Sequence, residues 1–187
     1  MTEGSTDLVT VLVTEHEEIK EYFRQLEAAE DADTRRDVAD RLTAEVARHS
    51  VAEEMYVYPA ARKVLPDGER LVEEELQEHA EVEELLRRWE GVSGDDPEFM
   101  ALYERIRDGL LHHIDEEEES QLFPRLQQAL SQEELDELGR KVSRAKRLAP
   151  TRPHPSAPDQ PPLNKLVGVP TGIIDRIRDS MSGRPTD

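Results

Sequence analysis

Three observations predict an all-α protein built as an antiparallel up-down-up-down four-helix bundle. Aromatic residues are only 4% of the 187 while Leu, Glu, Ala and Arg dominate, a mixture that favours helices and gives strands little to use. Apolar residues recur at helical spacing through most of the first 148 positions. Turn and breaker residues interrupt that pattern after segments of about 20 to 30 residues, and short connections between helices of that length give antiparallel neighbours.

The first segment, roughly 7 to 29, has Asp7 as a cap and places Leu12, Ile19, Phe23 and Leu26 on one stripe around His16. The second, roughly 33 to 65, carries Val38, Leu42, Val46, His49, Glu53 and Tyr56 and stops before Pro66-Asp67-Gly68. Pro59 lies inside it and removes the hydrogen bond to the Met55 carbonyl, so a kink or a loosened final turn is expected there. The third, roughly 69 to 90, aligns Val72, Leu76, His79, Val82, Leu86 and Trp89, and the breaker-rich GVSGDDP at 91 to 97 ends it. The fourth, roughly 97 to 129, aligns Phe99, Leu102, Ile106, Leu110, His113 and Glu117, with Pro124 placed as Pro59 is in the second. A shorter fifth helix follows from about 132 to 148, opened by Ser131 and Glu134 at capping-box spacing.

After Leu148 the character changes. Residues 150 to 170 hold seven prolines, which read as an extended linker, and GIIDRIRDSMSG at 172 to 183 is a short amphipathic stretch. The expected organisation is a bundle over 1–148 and a Pro-rich linker with a tail over 149–187. Asp and Glu outnumber Lys and Arg 43 to 24, a formal charge of −19, with no basic block to track phosphates, so nucleic acid is not expected as a partner. The start, MTEGSTDLVT, lacks a basic-then-apolar leader, and no run of about 18 apolar residues follows. A cytoplasmic protein without a membrane span is expected. Cysteine is absent, which excludes disulfides, thiolate catalysis and iron-sulfur clusters; any metal is held by nitrogen and oxygen.

The bundle reads as a duplicated helical hairpin. HSVAEEMYVYP at 49 to 59 returns as HIDEEEESQLFP at 113 to 124, and the offsets His16 to His79 (79 − 16 = 63), His49 to His113 (113 − 49 = 64) and Pro59 to Pro124 (124 − 59 = 65) drift by single insertions. Residues four apart on a helix differ in direction by only about 40 degrees, so His49 with Glu53, and His113 with Glu117, share a face. Four histidines on four apolar stripes and two carboxylates then converge near the bundle axis. Unpartnered, they would cost several kcal/mol to bury, and a metal supplies the partner. Imidazoles with carboxylates and no thiolate suit iron, manganese or zinc, and six such ligands fit two ions bridged by Glu53 and Glu117 better than one. Counting back from the proline makes Glu118 the equivalent of Glu53, which a π-bulge would turn inward; regular geometry selects Glu117. His112 repeats the 33-residue spacing of His16 to His49, but His113 lies on the stripe of Ile106 and Leu110. The Glu-x-x-His pattern of ferritin-like carboxylate sites is absent.

The order H, HxxxE, H, HxxxE, with YP or LFP after the acidic runs, resembles the hemerythrin-like HHE cation-binding proteins over about 8 to 130. The resemblance implies a bundle around two non-haem iron ions with an oxo or hydroxo bridge, binding oxygen, hydrogen peroxide or nitric oxide, or sensing iron. It places His16, His49, His79 and His113 as ligands and Glu53 and Glu117 as bridging carboxylates. The oxygen carriers of that family have a fifth histidine where this chain has Glu83, which turns the expectation from reversible oxygen carriage toward reaction. Tyr56 lies three residues after Glu53, on the ligand face, and Tyr58 occupies the place of Phe123 in the repeat. The reading is a di-iron protein of oxidative-stress defence, with catalase-like peroxide removal as its enzymatic form. The alternatives are a sensor whose metal occupancy controls folding and partner binding, and a metal-free acidic interaction module.

Overall fold

The computed structural model describes residues 7–149 and 151–152, and every regular element among them is helical. Helix α1 spans Leu8–Ala28; Asp7 caps it by accepting from the Val9 and Thr10 amides at 2.8 and 3.2 Å. Helix α2 spans Ala32–Ala52 behind the Asp31 cap, passes without a break into a π-helical segment π1, Glu53–Val57, and continues as α3, Tyr58–Val64. Helix α4 is Gly68–Trp89. The same three-part construction then repeats as α5, Pro97–His112, π2, His113–Leu122, and α6, Phe123–Ala129. Helix α7, Gln132–Lys146, opens on the predicted capping box of Ser131 and Glu134.

The expected loosening at each proline takes a definite form. Pro59 and Pro124 have no N–H to return, and the helix just before each one widens: the Tyr58 amide bonds the Glu53 carbonyl and the Phe123 amide bonds the Glu118 carbonyl, each five residues back. The second π segment is ten residues against five in the first. It absorbs the extra residue of the second phrase, since His113 to Pro124 spans eleven positions and His49 to Pro59 spans ten.

Two hydrophobic clusters fill the interior. One gathers Leu8, Leu12, Ala52, Tyr58, Val72, Phe123 and Leu126, with Leu135 and Val142 of α7. The other gathers Ile19, Phe23, Leu42, Val46, Val82, Trp89, Phe99, Ile106 and Leu110. His16 falls between Leu12 and Ile19 in sequence, and His79 between Val72 and Val82, so the histidines form a polar layer between two apolar blocks. Helix α7 packs on α1, α2 and π1, covering one side of that layer.

The turn before α5 is held tightly against the start of α2. Arg36 donates to the carbonyls of Trp89 and Val92 at 2.8 and 3.1 Å and lies over the Trp89 ring. Gly91 adopts φ +75°, the left-handed region that glycine enters without strain, and a Cβ at Gly94 would collide with the Ala32 carbonyl.

Packing continues past Leu148: Ala149 and Thr151 are buried and Arg152 pairs with Glu90 at 3.0 Å. The rest of the proline-rich linker and the stretch 172–183 lie outside the described residues. No helix among the described residues is long and apolar enough to cross a membrane.

Candidate metal centre

His16 on α1, His49 on α2, His79 on α4 and His113 at the start of π2 turn their Nε2 atoms inward as two pairs. His16 and His49 approach Nε2 to Nε2 at 3.2 Å, as do His79 and His113. Glu53 joins the two pairs, with Oε1 3.2 Å from His49 Nε2 and Oε2 3.5 Å from His79 Nε2. All four histidines and Glu53 are buried, none more than 8% exposed.

The second carboxylate differs from the one that regular helical geometry selects. Glu118 is fully buried, with Oε2 3.1 Å from His16 Nε2 and 3.7 Å from His113 Nε2. Glu117 points outward, half-buried, 3.7 Å from His112 and bonded to Gln121 at 3.0 Å. The physical reason is the turn: where backbone bonds run five residues back, the residue five on from His113, and not four on, returns to its face. Counting from the proline found Glu118; counting from the histidine missed it. His113 and not the exposed His112 occupies the layer. Glu83, in the place of the fifth histidine, is half-buried on α4 and joins none of the metal-capable clusters. Tyr58, not Tyr56, brings its hydroxyl to the histidines, 2.9 Å from His79 Nε2; Tyr56 packs partly exposed against the first apolar cluster. Phe123, in the repeat position of Tyr58, stacks on His16 with ring centroids 5.6 Å apart.

The outer face of each imidazole carries a carboxylate. His16 Nδ1 lies 2.8 Å from Glu119, His49 Nδ1 2.9 Å from Glu15, His79 Nδ1 3.1 Å from Glu54 and His113 Nδ1 3.0 Å from Glu78. These four obey the duplication too: Glu15-His16 answers Glu78-His79, and Glu53-Glu54 answers Glu118-Glu119. Sequence reading singled out none of these four, and the repeated doublets EH and EE were the signal that could have found them. An ionised carboxylate only accepts, so each Nδ1 is a donor and each Nε2 is turned inward. Such outer partners fix tautomer and ring orientation in metal-ligating histidines. Glu15 is held in turn by Lys146 of α7 at 3.2 Å, and the same ammonium contacts Glu45.

The charges in the layer compete. Burial, with Glu118 and other carboxylates nearby, holds the Glu53 carboxyl well above its ordinary range. Burial, with His113 alongside, drives His79 down to about 3. For Glu118, burial works upward but His113 and His16 outweigh it and hold the carboxyl at about 2; for His113, burial works downward but Glu118, Glu75 and Glu78 push it up to about 10. Without a cation the cluster therefore balances itself with protons. None of the oxygens of Glu53 and Glu118 accepts a hydrogen bond among the described residues, though all are buried. Acceptor atoms converging in a dry space, with their outer sides already tied, fit a bound cation. Two of the clusters with spacing for metal ligation share Glu53, one with His16, His49 and Glu118 and the other with His79 and His113.

Fold and donor set together define an all-helical cation-binding domain. The profile of the hemerythrin HHE cation-binding domain matches residues 7–126, and the chain belongs to that family. An uncharacterized hemerythrin-like protein of Schizosaccharomyces pombe is 32% identical over 181 residues, 96% of this chain and 89% of that protein. A DNA nickase of Nostoc sp. is 25% identical over 150 residues, 78% of this chain but 42% of the relative, so this chain spans less than half of it. No solved structure matches.

Proposed function

We propose that this chain is an up-down-up-down bundle binding two irons, ligated by His16, His49, His79 and His113 and bridged by Glu53 and Glu118, and that it reacts with hydrogen peroxide, oxygen or nitric oxide. The observation that carries this reading is the convergence of four Nε2 atoms whose Nδ1 atoms are all tied to carboxylates. The sharing of Glu53 between the two ligand clusters favours two ions over one. The absence of thiolates and the mixture of imidazole and carboxylate favour iron. When bound, the pair supplies redox equivalents and open coordination to a small oxidant.

The chain's own residues make the surroundings unequal. Tyr58 puts a phenol beside His79, and burial together with the Glu53 and Glu118 charges keeps that phenol protonated, so it is a hydrogen-bond donor on one side of the centre. Phe123 gives the His16 side an apolar ring. An enclosed pocket bordered by Ile19, His49, His79, Val82, Leu110 and His113 has a free volume of about 10 Å³, the scale of a single water-sized guest. So confined a pocket favours a ligand of very few atoms over an organic substrate. Catalase-like peroxide removal is the enzymatic form of this reading. The test is oxygen evolution from peroxide by the iron-loaded chain; a loaded protein that neither evolves oxygen nor changes its spectrum with peroxide, oxygen or nitric oxide contradicts it.

A further inference from the structure

The buried layer raises a question that the ligands do not answer, which is how an ion reaches it. Every residue proposed to hold metal is nine-tenths buried or more, so loading needs a way in.

One side of the layer is closed by cations. Glu15, behind His49, is bound by Lys146, and its neighbour Glu45 is bound by both Lys146 and Arg48. Glu119, behind His16, lies 3.7 Å from Lys20, which also pairs with Asp115 at 2.8 Å. The carboxylate behind His113 differs from these two. Glu78, behind His113, faces no lysine or arginine among the described residues; its other neighbour is His112 at 3.9 Å. Glu117 lies 3.7 Å from the same His112 nitrogen, so Glu78, His112 and Glu117 form an outward-facing cluster with metal-ligand spacing. In the first hairpin the position of His112 is Arg48, since 112 − 64 = 48.

Two further features lie on the inner side of that cluster. Glu75 is 1% exposed, and its Oε2 sits 3.0 Å from His113 Nδ1, as does Glu78 Oε2. That nitrogen makes its hydrogen bond with Glu78, and both oxygens of Glu75 are buried without one. The equivalent residue of the first hairpin is Leu12, since 75 − 63 = 12, so this carboxylate is not demanded by the repeat. Glu75 also groups with His113 and Glu118 at metal-ligand spacing. The enclosed pocket, finally, has Glu78 in its wall beside His49, His79 and His113.

We propose that Glu78, His112 and Glu117 form an outer divalent-cation site through which the centre is loaded, with Glu75, buried beside His113 and without a hydrogen bond of its own, as the carboxylate that receives the ion on its way to Glu118. This rests on the di-metal reading above. Carboxylate and imidazole donors on an outward-facing site suit a hydrated ferrous ion that must bind weakly and move on. The contrast between the two hairpins gives direction: ammonium and guanidinium groups repel cations at one side, and an imidazole with three carboxylates attracts them at the other.

The test is anaerobic ferrous uptake by the full metal-free chain, following both the rate and the final iron count, in wild type and in His112→Ala/Glu117→Gln. Glu133→Gln, on exposed α7, controls for the change in charge. The expected result is the same final count with initial uptake slowed about tenfold in the double variant, in the range by which charged clefts raise association rates, and unchanged in the control. Glu75→Leu, which restores the residue of the first hairpin, is expected to slow uptake as well. Equal rates in wild type and both site variants overturn the loading route while leaving the centre intact. A wild-type chain that takes up no iron overturns the centre itself, a separate outcome.

Discussion

His49 Nδ1 donates to Glu15 Oε2 across 2.9 Å, and the other oxygen of Glu15 lies 3.2 Å from Lys146. A residue of α7 thus orients a histidine of α2 through a carboxylate of α1. Lys146→Met removes the partner of two buried carboxylates, Glu15 and Glu45. Breaking such a pair costs about 3 kcal/mol, so urea denaturation of the metal-free protein should show a loss of that order, and Lys146→Arg should recover most of it. A loss within error would mean that α7 is ornamental to the site.

The two adjacent glutamates of π2 should separate cleanly. Glu118→Gln removes a proposed bridge and is expected to lower bound iron from two per chain to one or none, because the amide has no negative charge and only one oxygen donor where a bridge between two cations needs two. Glu117→Gln is expected to keep both ions. Elemental analysis after anaerobic loading and desalting decides, and a reversed pair of results would return the bridge to Glu117.

Tyr58→Phe makes the two halves of the layer alike, since Phe123 already holds the equivalent place. Iron content should stay at the wild-type value. The loss of one buried hydrogen bond costs about 1 kcal/mol, and a missing proton donor should slow reaction with peroxide by about two orders of magnitude. Stopped-flow mixing of the loaded variant with peroxide measures it; an unchanged rate would make Tyr58 a packing residue only.

Protons hold the metal-free cluster together, and metal should expel them. His113 is pushed up to about 10, so it carries a proton at neutral pH that a bound cation displaces, and the Glu53 carboxyl is shifted toward its protonated form as well. At least one proton should appear per chain on loading, and apparent affinity should rise with pH across neutrality. The sign for the metal-free fold is opposite for His113: a raised histidine contributes stability that is complete below 6.5 and disappears as pH rises through about 10. Calorimetry in buffers of different ionisation heat counts the protons, and no release would contradict the assignment of these two groups.

Much of this was legible from residues alone. The helices, the Ser131 cap, the hairpin duplication and the four histidines all follow from spacing, since each is a periodic or local signal. The phase change at each proline was legible only as an alternative, the π-bulge that would turn Glu118 inward, and regular helical geometry was preferred to it. A π segment alters which residue returns to a face, so Glu118 replaced Glu117 and Tyr58 replaced Tyr56, and no count in steps of four could show it. The outer carboxylates Glu15, Glu54, Glu78 and Glu119 escaped for another reason: with 43 acidic residues in the chain, composition hides any single Glu, and only its repetition beside a ligand position marks it. Glu75 had no such mark, because the repeat has Leu12 in its place.

The central claim is most directly tested by counting iron in the intact chain after anaerobic ferrous loading and removal of excess ion, with the absorption spectrum taken before and after peroxide. The account predicts two irons per chain and new near-ultraviolet bands of a bridged ferric pair once peroxide is added. A chain that retains no iron, or a single iron with no spectral change, contradicts it.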